Sequence, residues 1–203
     1  DTDYFKSKYG NAVFVGPFHP ANQCSTSDGK GDYVLLHGDF STSENNAAAR
    51  FILREVASRW HYKTILAGKR PSQELLKDAS GLRHVKVIPN PSLVQMNELV
   101  SNAQVCLLNA SQPSGMKLKL INALCQGRHV ITSDSVVAGT HLESLCNIAG
   151  NPAEWIHLTD SLMKEEFTAE MKEKRKLLLS EIADNSLNAR KIIESIRDFN
   201  SRT

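Results

Sequence analysis

Ser114-Gly-Met-Lys-Leu-Lys-Leu-Ile-Asn-Ala-Leu-Cys-Gln-Gly-Arg-His-Val-Ile131 is the stretch that decides the fold. It reads as a loop, a helix, a glycine stop and a strand. Ser114 and Gly115 let the chain turn. Leu118, Ile121 and Leu124 or Cys125 recur at three- and four-residue spacing, so one apolar stripe runs down a helix. Gly127 is expected to end that helix in a left-handed conformation. Just upstream, Val105-Cys-Leu-Leu108 has the continuous apolar character of a buried strand. Residues 109–115 therefore lead from a strand's C-terminal end to a helix's start. The first N–H groups of a helix lack intrahelical partners, and the dipole there favours an anion, so such junctions are where α/β proteins bind ligands. Lys117 and Lys119 place positive charge where a helix N-terminus disfavours it, a cost that a bound phosphate relieves. Two solvated surface lysines are the plain alternative.

The same alternation extends both ways. Tyr33-Val-Leu-Leu-His37 reads as a strand ending at Gly38. Ser41 and Glu44 have the spacing of a capping box, followed by one helix from Asn45 to Trp60 with Ala48, Phe51, Ile52 and Val56 on one side. Thr64-Ile-Leu-Ala67 is the next strand, ending at Gly68. A helix from Ser72 to about Ser80, the strand Val85-Lys-Val-Ile88 and a helix from about Ser92 to Asn102 follow. Downstream come the strand His129-Val-Ile-Thr132, a short helix around Leu142 to Cys146 and a short strand from Asn147 to Ala149. From Asn151 the chain reads as helical to its end, with Pro152 in a first turn. This alternation specifies a doubly wound α/β domain, about six parallel strands in one sheet with helices on both faces and the last helices packed at one side. Residues 1–31 read as an irregular lead-in, with a short strand at Asn11-Ala-Val-Phe-Val15 and a long surface connection from Gly16 to Gly31. Residues 151–203 form a helical tail, and residues 1–203 make one domain.

Composition narrows the class. The chain has 203 residues, 41% hydrophobic and 23% charged, as in an ordinary soluble globular protein. A net charge of +2 gives no general reason to expect nucleic acid or a membrane as partner. No apolar run approaches the roughly 18 residues of a spanning helix. The chain begins at Asp1 without a methionine or a signal peptide, so it is read as a processed or excised piece of something longer. Cys24, Cys106, Cys125 and Cys146 show no CxxC pairing, which points to free thiols in a reducing, cytoplasmic compartment and to no zinc site. His37 stands at a strand end beside Gly38, where a ligand contact is conceivable and a structural role more ordinary. His129, Trp60 and Trp155 read as packing residues, and Asp134, following a strand at an end that could face the cleft, reads equally well as an exposed turn residue. The run Lys164 to Lys176 mixes both signs at helical spacing and reads as a solvated face. No Ser-His-Asp arrangement, metal cluster or catalytic residue stands out.

A strand, a Gly-rich turn and a helix ending in Ala-Leu-Cys-Gln-Gly-Arg-His-Val-Ile131 resemble the C-terminal half of GT-B glycosyltransferases, specifically glycosyltransferase family 4. Gly115-Met-Lys-Leu-Lys-Leu120 is close to the Gly-Ile-Lys-x-Lys form of part of that family. His37-Gly-Asp-Phe-Ser41 is similar to its first glycine turn, and Leu66-Ala-Gly-Lys69 to the Ala-Gly turn of its second strand. Ile88-Pro-Asn-Pro91, with Met96 and Leu99, falls where the family has its base-binding loop, and Asp1-Thr-Asp-Tyr-Phe5 resembles the segment arriving from the N-terminal domain. The resemblance covers roughly residues 1–196. It implies a Rossmann-like domain binding a nucleotide-sugar donor through Gly38, Lys69, Arg70, Ser114, Gly115, Met116, Lys117 and Asn122. It also implies retaining hexosyl transfer, mannosyl or glucosyl, with no further cofactor. The acceptor and catalytic base would come from a missing N-terminal domain, through which a cytoplasmic enzyme could rest on a membrane. The family's two glutamates fall on Ser114 and Asn122, and its arginine and lysine after the first turn on Asp39 and Glu44. Lys69, Arg70, Lys117 and Lys119 must then compensate a diphosphate. Lys117 and Lys119 lie about 200° apart around a helix, so the reading favours Lys117, nearer the turn. A degenerate domain serving as a scaffold and one half of a sugar-nucleotide epimerase are the other readings.

Overall fold

Six short apolar runs, each too brief to stand alone, pair side by side into one parallel sheet. The structure, a computed structural model, describes residues 2–10, 12–18, 24–110 and 118–200. The strands are β1 (Val34–Asp39), β2 (Thr64–Lys69), β3 (Val85–Pro89), β4 (Val105–Leu108), β5 (His129–Thr132) and β6 (Asn147–Ile148), in the order β3-β2-β1-β4-β5-β6. Each strand pairs parallel with its neighbour, as a sheet built from right-handed crossovers must.

Side chains alternate across the pleat, so the sheet has two apolar faces, and both are covered. Leu35, Ile65, Cys106 and Val130 point to one face. There they meet α4 (Leu93–Asn102), α5 (Leu118–Gln126), α6 (Asp134–Val137) and α8 (Ala169–Ala183). Val34, Leu36, Leu66, Leu107 and Ile131 point to the other, against α2 (Ser43–Phe51), α3 (Gln73–Ser80) and α7 (Pro152–Leu162). The tail is thus not packed at one side. Trp155 and Leu162 of α7 belong to one core, Leu179 and Ala183 of α8 to the other.

Four local expectations are corrected. The lead-in is not all irregular, since Thr2–Tyr9 form a helix, α1, while the described part of the expected strand, residues 12–15, pairs with nothing in the sheet. The helix predicted from Asn45 to Trp60 is three segments: α2, a π-helical turn at Ile52–Val56 and a 3₁₀ turn at Ala57–Arg59. Its cap is Thr42 rather than Ser41, with the Thr42 hydroxyl accepting from the Asn45 N–H. Gly127 is not left-handed; Gly10, Gly29 and Gly139 are the glycines that are, among the described residues. It is glycine for room, because a Cβ would stand 2.9 Å from the Ala123 carbonyl oxygen and 3.0 Å from Cys106 Sγ.

The solvated-face reading of residues 164–176 fails at Arg175, which is only 5% exposed. Its guanidinium donates to the carbonyls of Leu124, Gly127 and Arg128 and lies 4.5 Å from the centre of the Phe167 ring. These carbonyls sit at and just past the end of α5, where a helix leaves acceptors unpaired and favours a cation. The tail therefore ends the organising helix. A second clasp joins α9 (Asn185–Asn200) to the lead-in. The Gly16 N–H donates to Asn188 Oδ1, and Asn188 Nδ2 donates to the Pro17 carbonyl.

Candidate functional site

In an open parallel sheet, ligands sit outside the carboxyl ends of the strands where the winding reverses. Here the chain winds from β1 outward through β2 to β3, then returns to place β4 on the other side of β1. The reversal lies between β1 and β4. A cavity opens there, and its polar lining is His37, Asn45, Asn109 and Lys119 over an apolar floor that includes Leu36, Ile52 and Leu107.

Each polar group is held for a local reason. His37 and Gly38 come at the end of β1, and Asp39 closes the turn that follows. Thr42 then caps α2 and turns Asn45 back over β1, where Asn45 Nδ2 donates to the Asp39 carbonyl at 2.9 Å. The other end of the amide, Oδ1, accepts from Lys119 Nζ at 2.9 Å. Asn45 thus bridges the β1 turn to the first helical turn of α5. His37 is half-buried, yet its Nε2 is itself buried and has no hydrogen-bond partner among the described residues. Burial, with a smaller contribution from the Lys119 charge, pushes its pKa down to about 4, so the ring is neutral at physiological pH. The arrangement offers one ammonium, two amides and a neutral imidazole to a polar or anionic group at the carboxyl end of β1.

The remaining predicted site residues are spread more widely. Lys69 and Arg70 are exposed at the end of β2. Arg70 has a left-handed backbone (φ 48°), donates its N–H to Asn90 Oδ1 and places its guanidinium 3.7 Å from Asp39 Oδ2. Asp39 also accepts from the Ser41 hydroxyl at 2.6 Å and the Ser41 N–H at 3.0 Å. The Ser41 hydroxyl, then its N–H, hold the Asp39 carboxyl below its ordinary range, with the Arg70 and Lys69 charges adding to this. An acid that would repel phosphate is tied to the rim and draws an arginine to it. Gly38 faces open space apart from Asn45: a Cβ would stand 3.7 Å from that side chain, an ordinary contact at the mouth of the cavity. Gly68, opposite it in register, has no such room, since a Cβ there would overlap the Gly38 carbonyl oxygen at 1.9 Å. Asn122 is half-buried on α5, three residues after Lys119, and its Oδ1 accepts from Gln126 Nε2 at 3.0 Å. Ser114, Gly115, Met116 and Lys117 lie outside the described residues. Lys119, the lysine that the helical spacing disfavours for the cleft, reaches into the cavity, while Lys117 lies outside the described residues. Asn45 is the contributor that sequence reasoning missed; its signal was Thr42 three residues ahead, a cap that fixes the direction of the following side chain.

Among the described residues no three His, Cys, Asp or Glu side chains are placed to hold a metal, and no helix is long and apolar enough to cross a membrane.

A six-stranded parallel sheet in this order, with polar groups converging at its switch point, defines a Rossmann-like domain. The chain belongs to the family "Glycosyl transferases group 1", whose family model matches residues 31–165. No curated protein matches it closely enough in sequence to be counted a relative. Among solved structures it is similar to AviGT4, a glycosyltransferase involved in avilamycin A biosynthesis, with a TM-score of 0.66 and 13% identity over 95% of this chain and 60% of that one. It is also similar to TarM, at 0.65 and 12% over 89% of this chain and 38% of that one. A third is an α,α-trehalose-phosphate synthase (UDP-forming) from Burkholderia xenovorans, at 0.58 and 12% over 86% of this chain and 44% of that one. At such identities the likeness establishes the fold, that of a GT-B glycosyltransferase domain. The chain spans at most 60% of the length of these structures.

Proposed function

We propose that the chain is the nucleotide-sugar donor-binding half of a retaining glycosyltransferase, transferring a hexosyl group of the mannosyl or glucosyl type. The observation that carries this reading is the Lys119 ammonium, held by Asn45 over the end of β1 beside His37 Nε2, which has no partner among the described residues. A diphosphate leaving group gathers negative charge as the glycosidic bond to it breaks. Fixed donors in a partly dry cleft stabilise that charge without reorganising. Lys119 supplies the charge, and the start of α5 supplies backbone N–H groups. Ser114, Gly115, Met116 and Lys117 are assigned to the donor by the family resemblance, and Lys69 and Arg70 are exposed at the end of β2. No cofactor besides the donor is required, because lysine and backbone N–H groups meet the charge that a metal would otherwise meet.

The acceptor and the catalytic base are assigned to a further domain. In support, the chain spans at most 60% of the structures it resembles, and its terminal helices leave large apolar side chains uncovered. Tyr4, Phe5 and Tyr9 of α1 and Ile193, Ile196 and Phe199 of α9 are exposed. A cytoplasmic setting, peripheral at a membrane through that further domain, fits an enzyme using soluble nucleotide-sugars. The second reading, a degenerate domain acting as a scaffold, is favoured by one observation. Asn122, at the family's second glutamate, spends its carbonyl on Gln126 instead of a ribose.

Calorimetric titration of the chain with UDP and GDP decides between them. A charge-assisted contact contributes about 1.5–3 kcal/mol, so Lys119→Ala is expected to weaken nucleoside-diphosphate binding roughly ten- to a hundredfold. No binding by the unaltered chain would favour the scaffold, and an unchanged affinity in Lys119→Ala would remove that residue from the site.

A further inference from the structure

The four cysteines, scattered in sequence, gather around the Arg175 guanidinium on one side of the sheet. Cys106 and Cys146 are embedded there, and burial pushes each thiol up to about 12, so neither reacts at physiological pH. Cys24 and Cys125 differ. Residues 24–26 pass across the end of α5, where the Ser25 and Thr26 N–H groups donate to the Cys125 carbonyl at 2.9 and 3.2 Å. The Thr26 hydroxyl donates to the same oxygen at 3.0 Å. This strap sets the Cys24 sulfur against the last turn of α5, where it accepts a hydrogen bond from the Cys125 thiol. Cys24 is half-buried, whereas Cys125 is 2% exposed and can be reached only by a group already inside. Arg175, Lys176 and Lys172 lie on the same side, Lys172 with its ammonium 3.8 Å from Asp28.

We propose that Cys24 and Cys125 form an oxidative modification site, a vicinal dithiol that hydroperoxides convert into a disulfide. The Cys24 thiolate attacks one oxygen of hydrogen peroxide, the O–O bond breaks, and hydroxide leaves to be protonated as water. Cys24 is now a sulfenic acid. The Cys125 sulfur attacks it, forming the S–S bond, while the Cys125 proton goes to the departing hydroxide and makes a second water. Each sulfur loses one electron, and the peroxide gains both. A low-molecular-weight dithiol reverses the step by exchange. The assignment of attacking and resolving roles follows from access and from charge. The hydrogen bond from Cys125, with the Arg175, Lys176 and Lys172 charges, outweighs burial and brings the Cys24 pKa down to about 7. Donating that bond, and burial, raise the Cys125 thiol. Once formed, the disulfide fastens the 24–26 strap to the end of the helix whose other end enters the candidate site, so it is a reversible lock independent of whether that site holds a donor.

The test is mass spectrometry on the unaltered chain after brief exposure to hydrogen peroxide. The intact mass should fall by that of two hydrogen atoms, and a peptide pair joining Cys24 to Cys125 should appear and vanish on reduction. Cys106 and Cys146 should remain alkylatable after unfolding. Without peroxide, Cys24 should react with iodoacetamide at least about tenfold faster than Cys106 or Cys146 at neutral pH. In Cys125→Ser the reaction should halt at a Cys24 sulfenic acid that dimedone traps. No mass loss, a bond to Cys106 or Cys146, or Cys24 passing to sulfinic acid in the unaltered chain would overturn the proposal.

Discussion

Removing the Arg175 side chain is predicted to be among the most damaging substitutions the domain can suffer, although the residue lies in a stretch of charged sequence. Arg175→Ala leaves the carbonyls of Leu124, Gly127 and Arg128 without their donor. Hydrogen bonds to a charged group contribute about 1.5–3 kcal/mol each, so the three together supply roughly 4.5–9 kcal/mol. Against this stands the cost of holding the cation out of water. Burial brings the guanidinium pKa from 12.5 down to about 10. At about 1.4 kcal/mol per unit that shift opposes folding by roughly 3 kcal/mol. The difference predicts a loss of about 2–6 kcal/mol, a large part of a typical domain's stability. Arg175→Lys keeps the charge but replaces a planar fork by one ammonium, so it should recover only part of the loss. Urea denaturation followed by circular dichroism measures all three proteins, with Lys176→Ala as control. Lys176 is exposed and pairs with Glu173 at 3.9 Å, an arrangement that contributes about 0.5 kcal/mol or less. An Arg175→Ala variant within about 1 kcal/mol of the unaltered chain would refute the view that the tail ends α5.

The two glycines at the ends of β1 and β2 should separate stability from binding. Gly68→Ala meets the Gly38 carbonyl at 1.9 Å and is expected to cost about 3 kcal/mol or more in the same denaturation assay, whereas Gly38→Ala, with a contact of 3.7 Å, should leave stability within about 0.5 kcal/mol and lower nucleoside-diphosphate affinity. His37 predicts a pH dependence. Its folded pKa of about 4 lies below the ordinary 6.5, so the unfolded chain binds more protons between these values and stability falls as pH drops through them. The loss attributable to His37 approaches roughly 3 kcal/mol at pH 4. His129, whose pKa burial also lowers, acts in the same direction, so the measure is the difference between the unaltered chain and His37→Gln in melting temperature from pH 7 to 4. Equal acid sensitivity in the two proteins would mean that His37 is hydrated in the folded state.

The strands were legible because each is a short apolar run closed by glycine, proline or a cap, and a parallel sheet buries both faces of such runs. Val105–Leu108 and His129–Thr132 could have been nothing else at that length. The site was legible only in part. A strand end followed by a helix start shows where a ligand can lie, but not which side chain turns toward it. Lys119 faces the cavity because Asn45 holds its ammonium, and Asn45 lies 74 residues away in sequence. Arg175 was misread for a related reason. Charge mixing along a helix describes a solvated face on average, while one position among them meets three orphan carbonyls that no local pattern reveals. The same holds for Gly127, whose position after a helix signals a left-handed stop and whose actual constraint is the nearness of Cys106.

The π-helical turn at Ile52–Val56 gives the domain an independent adjustment of the cavity wall. Such a turn is equivalent to one residue inserted into an α-helix, and each residue advances a helix by about 100°. The apolar residues within the turn, Ile52, Leu53 and Val56, anchor that stretch in the core. Asn45 lies on the other side of the insertion. Deleting one residue of the turn would let regular helix run through. With the core half held fixed, α2 would rotate by about 100° and carry the Asn45 amide away from Lys119. The pitch of that one turn thus works as a set-screw, indexing a polar side chain over the carboxyl end of β1.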